Sequence, residues 1–149
     1  MGMKTEALGM YQRALDANAG YDEIYFNRAT MSMQMGLEDQ AIQGYRRVLS
    51  INPLSHEAYN ALESLYMKNI PKYGDEAAAL YHRALQIYPG DKDLWNNLGY
   101  LEVQRQRWPE AAEAYQKALE IDPHFELARH NLELITRKGN ASTESGRKP

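Results

Sequence analysis

Apolar positions recur along this chain with a helical period. Leu94, Trp95, Leu98, Leu101 and Val103 fit a 3.6-residue repeat, and so do Ala111, Ala114, Tyr115, Ala118 and Leu119. The polar run Gln104 to Arg107 lies between them, followed by Trp108 and Pro109. Pro109 suits the first turn of a helix, where its missing N–H costs nothing. After each second helix comes a stop: Asn52-Pro53, Tyr88-Pro89 and Asp122-Pro123. Proline cannot continue a helix and biases the preceding residue away from one. Ser55 and Asp91 then stand as N-caps for the next helix. The pattern predicts a series of helical hairpins, with no segment alternating as a strand would.

A longer period overlies the helical one. Ala7, Ala41, Ala77 and Ala111 form one column; Tyr11, Tyr45, Tyr81 and Tyr115 form a second, each four residues later. Ala14, Val48, Ala84 and Ala118 make a third, and Leu15, Leu49, Leu85 and Leu119 a fourth. The spacing within every column is 34, 36 and 34 residues. A fixed period in this range marks stacked units, each unable to bury its apolar face alone. Such a chain works by presenting a surface.

The residues Trp95, Leu98, Gly99, Ala111, Tyr115 and Pro123 resemble the tetratricopeptide repeat. The resemblance implies an all-α fold: a right-handed superhelical solenoid of antiparallel hairpins with a C-terminal capping helix. Full repeats are expected at 22–55, 56–91 and 92–125. Residues 1–21 read as a half repeat with only its second helix, Thr5 to Asn18, and 126–138 as the capping helix. Gly139 is expected to stop that helix, leaving 139–149 as a disordered tail. Some positions depart from the family pattern. Glu102 stands where an aromatic is usual, Arg28-Ala29 replaces Leu-Gly, and Glu63 replaces Gly. The middle repeat has two extra residues near Asn69-Ile70-Pro71-Lys72, expected as a longer turn.

Composition narrows the partners. Hydrophobic residues make up 44%, charged residues 25%, and the net charge is −3, so nothing favours nucleic acid or an anionic membrane. No apolar run approaches a transmembrane span, and no signal-peptide pattern opens the chain. There is no Cys, which removes disulfides, thiolate metal sites and a Cys nucleophile. His56, His82, His124 and His130 form no metal-binding pair at helical spacing, and no phosphate loop or nucleophile elbow occurs. Neither an enzyme nor a bound cofactor or metal is expected. A cytoplasmic location is expected, or a periplasmic one if the chain belongs to a longer exported protein.

The resemblance also implies a concave groove lined by the first helix of each hairpin. Its inward positions would be Glu23, Phe26, Asn27, Thr30 and Met33 in the first repeat and Glu57, Asn60, Ser64 and Met67 in the second. The third would give Asp93, Asn96, Asn97, Tyr100 and Gln104, and the capping helix His130 and Asn131. Asn27, Asn97 and Asn131 share the sixth position, interrupted at Ala61. An amide column of this kind can hold the main chain of an extended peptide, and repeat domains attached to protein glycosyltransferases carry a similar one. Glu23, Glu57 and Asp93 suit the helix dipole and bias the groove toward basic or neutral segments. Glu57 and Ala61 stand where a carboxylate clamp would need cations, so no clamp is expected. Arg13, Arg47, Arg83 and Lys117 suit the ends of the second helices.

The expected function is a non-catalytic interaction scaffold taking an extended peptide or helix of a partner protein. Two alternatives follow from the opening in mid-repeat. Ala7, Met10, Tyr11 and Ala14 would be less covered than in an intact hairpin and could drive homo-oligomerisation. Otherwise the chain would be a substrate-recruiting part of a larger protein, such as a glycosyltransferase.

Overall fold

The structure, a computed structural model, describes residues 6, 7, 9–11, 13 and 22–145. The described positions before residue 14 are helical. No strand occurs among the described residues. The chain divides into two compact units, residues 1–68 and 69–149.

In the first unit α1 (Asp22–Gln34) packs against α2 (Glu38–Ile51), and α2 against α3 (His56–Lys68). The α1–α2 turn closes on Gly36 at φ +75°, where the Leu37 N–H reaches the Ser32 carbonyl at 2.9 Å. A left-handed residue after a helix lets the next N–H satisfy a carbonyl of the last turn. Ala41, Tyr45, Val48 and Leu49, one residue from each column, are buried on α2. They meet Ala29 from α1 and Ala58, Leu62, Leu65 and Tyr66 from α3 in the unit's core.

The Ala29 departure has a compensation across the hairpin. A Cβ on Gly44 of α2 would lie 2.7 Å from the Ala29 Cβ. In the third repeat the glycine sits on the other helix: a Cβ on Gly99 would lie 2.6 Å from the Tyr115 ring, and the counterpart of Gly44 is Ala114. These two hairpins therefore carry the glycine on opposite helices: Gly44 lets α2 approach the Ala29 backbone, and Gly99 makes room for the Tyr115 ring.

The second unit holds α4 (Ile70–Ile87), α5 (Lys92–Gln104), α6 (Trp108–Ile121) and α7 (Glu126–Ser145). Consecutive helices pack on each other, and α5 also touches α7. Ala111, Tyr115, Ala118, Ala128 and Ile135 form a buried cluster flanked by Trp95, Val103, Phe125 and Leu132. The α5–α6 turn repeats the first unit's, with Gln106 at φ +60° in the place of Gly36 and Arg107 N–H bonding the Glu102 carbonyl at 2.8 Å.

The proline stops and the caps fall where the sequence places them. The N–H of Asn52, Tyr88 and Asp122 closes α2, α4 and α6 at 2.7, 2.8 and 3.0 Å. The Asp91 carboxylate accepts from the N–H of Asp93 and Leu94 at 2.9 and 3.0 Å, and the Ser55 hydroxyl accepts from Ala58 N–H at 3.3 Å.

Two expectations are corrected. The insertion in the middle repeat is not a longer turn. It is absorbed by α4, which has 18 residues where α2 and α6 have 14. Asn69 caps this extension by accepting from Lys72 N–H at 3.3 Å, and Pro71 sits in its first turn. The capping helix does not stop at Gly139 but runs to Ser145. A glycine costs a helix only about 1 kcal/mol relative to Ala, and no proline follows before Pro149 to end it. Residues 146–149 of the expected tail lie outside the described residues.

Candidate protein-interaction site

Taken unit by unit, the first-helix positions divide into presented and packed residues. In the first unit Glu23, Asn27, Glu57, Asn60 and Ser64 are exposed, while Phe26, Thr30, Met33 and Met67 are half-buried. Phe26 and Thr30 are held by packing. The Phe26 ring lies 5.3 Å from that of Tyr45, tilted by 59°, and the Thr30 hydroxyl is 3.0 Å from the Tyr45 hydroxyl. That leaves Asn27 on the open side of α1, and no side-chain partner for it occurs among the described residues.

In the second unit Asp93, Gln104 and His130 are exposed, and Tyr100 is 50% exposed, a large aromatic surface. Asn97 is half-buried, and its amide too has no side-chain partner among the described residues. Asn96 is not presented. It is 5% exposed, and its Oδ1 accepts from Asn131 Nδ2 at 3.1 Å. A buried amide oxygen needs a donor, and Asn131 of α7 supplies it. Of the Asn27, Asn97 and Asn131 column, Asn131 spends one donor on Asn96, and Asn27 and Asn97 have no side-chain partner among the described residues. Tyr115 lies beneath this face, its hydroxyl pushed up to about 12 by burial first and by neighbouring Tyr100 second.

Of the N-terminal candidates, Met10 is 64% exposed, and Ala7 and Tyr11 are half-buried. Ala14 lies outside the described residues.

Sequence reasoning missed an ion network around Glu102. This residue is 4% exposed, and its Oε1 accepts from Arg105 Nη1 at 2.8 Å. Arg105, whose side chain is 8% exposed, also pairs with Asp75 of α4. Arg107 lies 3.5 Å from the same Asp75 oxygen. Beside the network is a cavity of about 450 Å3, walled by α4, α5 and α6. The signal was present in the sequence as a Glu at a usually aromatic position, three residues before an Arg. No group of His, Asp and Glu that could hold a metal occurs among the described residues.

Two tetratricopeptide-repeat family models match, one over residues 22–53 and another over 74–124. With the repeat columns and the hairpins, these matches place the chain in the tetratricopeptide-repeat family. Among its relatives is the peroxisomal targeting signal receptor of Kluyveromyces lactis, 33% identical over 66% of this chain and 17% of the receptor. Another is the human protein O-mannosyl-transferase TMTC3, 31% identical over 75% of this chain and 12% of the transferase. The chain thus spans under a fifth of either protein. The crystal structure of MamA superposes with a TM-score of 0.66 at 24% identity, covering 93% of this chain and 80% of that one. MamA from Desulfovibrio magneticus RS-1 gives 0.63 at 20% identity, over 97% and 81%. At these identities the likeness speaks for the fold alone, an all-α TPR-like solenoid. No helix among the described residues is long and apolar enough to cross a membrane.

Proposed function

We propose that this chain is a non-catalytic scaffold whose first-helix faces, lining the groove that the family resemblance implies, bind an extended peptide or helix of a partner protein. The observation that carries this reading is the pair Asn27 and Asn97. Both occupy the sixth position of their repeats, both have amides unspent within the protein, and each adjoins an aromatic-bearing stretch: Phe26 on α1, and Tyr100 on α5. An amide offers two donors and an acceptor, which matches a peptide main chain whatever its side chains. Exposed Glu23, Glu57 and Asp93 favour a basic or neutral segment over an acidic one. The repeat fold points away from catalysis; the transferase among the relatives is matched over too little of its length to bring its activity here.

The test is a peptide selected against the wild-type protein from a random display library, with its affinity measured by calorimetry on wild type and on Asn27→Ala, Asn97→Ala and the double variant. Each lost amide bond is expected to cost about 1 kcal/mol, or roughly fivefold in affinity. Equal affinity on all four proteins, with circular dichroism showing them equally folded, would sink the reading.

A further inference from the structure

The cavity beside Glu102 lies among α4, α5 and α6, and none of the candidate groove residues lines it. Its origin is visible from the eleventh position of the repeats, held by Ser32, Tyr66 and Glu102. In the first unit Tyr66 occupies the corresponding place and is 2% exposed. Its hydroxyl accepts from Arg46 Nε at 2.9 Å, and the Arg46 guanidinium lies 5.8 Å from the ring centroid. The counterpart of Arg46, thirty-six residues on, is His82, which lines the second unit's cavity. One unit therefore holds a seated guanidinium. The other has no counterpart of the Tyr66 ring or of the Arg46 guanidinium at these positions, and it has open volume instead.

That volume has an unmet chemical demand. The buried Oε2 of Glu102 has no hydrogen-bond partner. The Arg107 Nε, at 3.9 Å, is beyond hydrogen-bond reach. A buried carboxylate oxygen without a donor is costly. The lining carries four carboxylates, Asp75, Glu102, Glu110 and Glu113, against two guanidiniums, Arg105 and Arg107. Arg105 is already committed to Glu102 and Asp75. Trp95, Leu98 and three alanines supply an apolar wall, and the indole N–H of Trp95 is tied to the Pro89 carbonyl at 3.0 Å. The volume, about 450 Å3, is within the roughly 300–1,000 Å3 of small-ligand pockets.

We propose that this cavity takes the guanidinium of an arginine side chain presented by a partner protein. The exposed Glu110 and Glu113 draw the cation in, a turn of the Glu102 carboxylate brings its enclosed Oε2 to the guanidinium N–H groups, and the aliphatic stem lies against the alanine and tryptophan wall. Arginine fits better than lysine: its head is planar, weakly hydrated, and stacks on aromatic surfaces.

The experiment is a titration of the 15N-labelled chain with the blocked tripeptide acetyl-Gly-Arg-Gly-amide, followed by amide and indole shifts. The controls are the same peptide with lysine and with citrulline, the neutral isostere. Expected are saturable shifts at Ala78, Ala79 and Ala114 and at the Trp95 indole, with citrulline binding about tenfold weaker. Glu102→Tyr, which puts an aromatic where Tyr66 stands in the first unit, is expected to abolish the shifts, and Glu110→Gln/Glu113→Gln to weaken them with less salt dependence. Non-saturating shifts, shifts centred elsewhere, or equal binding of citrulline would overturn the proposal; equal binding of lysine would overturn the guanidinium assignment. Should Glu102→Tyr unfold the chain, the citrulline contrast on wild type decides alone.

Discussion

Exchanging Gly44 and Ala29 tests whether close helix approach sets the stability of the first hairpin. In Gly44→Ala the new Cβ would lie 2.7 Å from the Ala29 Cβ and 3.3 Å from its Cα. Both atoms are fixed to backbone, so relief requires the helices to separate. Overpacking of this kind costs about 1–3 kcal/mol. Against it stands a gain of about 1 kcal/mol for replacing glycine inside a helix. The single variant should lose roughly 1 kcal/mol net, a fall in Tm of about 2–4 °C for a chain of this size. Ala29→Gly alone gives up helix propensity and one buried methyl, together about 1–2 kcal/mol. The double variant reproduces the third hairpin's arrangement, with glycine on the first helix, and should be more stable than the two singles sum to. The coupling expected from the cycle equals the removed clash, about 1–3 kcal/mol. Urea unfolding of all four proteins by circular dichroism measures it. A Gly44→Ala protein stabilised by the full propensity gain, with no coupling, would refute the close-contact argument.

Two further outcomes follow from the second unit. Asn131→Ala removes the donor to the buried Asn96 oxygen and should cost about 1–3 kcal/mol, with Asn96→Ala/Asn131→Ala losing little beyond that; an unchanged urea midpoint in the single variant would show the bond to be idle. Lys92 Nζ bonds Asp122 Oδ2 at 2.5 Å, which holds the Asp122 carboxyl below its ordinary value, with the His124 N–H adding to it, and raises Lys92. The Asp122 contribution is present above the unfolded carboxylate value and lost as pH falls through the depressed folded one; the Lys92 contribution is lost as pH rises through its raised folded value. Melting temperatures of wild type and Lys92→Met should therefore differ at neutral pH and converge in acid below the folded Asp122 value, whereas a constant gap down the acid range would refute the linkage.

The parts legible in the sequence were those with local causes. Proline stops, the Asp91 and Ser55 caps and the four columns depend on residues within a turn or two of each other, or on strict recurrence. What escaped depends on pairing between helices. Ala29 read as a departure because its compensation, Gly44, is fifteen residues away on the facing helix. Asn96 and Asn97 are neighbours in sequence and equally polar, yet a helix turns by about 100° between them. That rotation buries one against α7 and leaves the other half-open. The α4 extension was readable in principle, since Asn69 followed by Pro71 is a helix-start signal. It was obscured by the expectation that insertions go into loops.

The added turn of α4 moves the start of its helix. Four extra residues carry the helix start about 6 Å beyond where α2 and α6 begin. Ile70, from that turn, and Gly74, at the site corresponding to the first residue of α2, lie against one another: a Cβ on Gly74 would sit 3.4 Å from the Ile70 Cγ2 and 3.2 Å from Arg105 Nε. Asp75, one residue on, pairs with that same guanidinium. What a comparison of repeats would score as a two-residue gap is thus a whole helical turn set ahead of the hairpin's regular start, and Asp75, just past that start, ties the next hairpin's Arg105. The irregular repeat and its regular neighbour are laced together by that ion pair, so the register of the array is held by charge as well as by apolar packing.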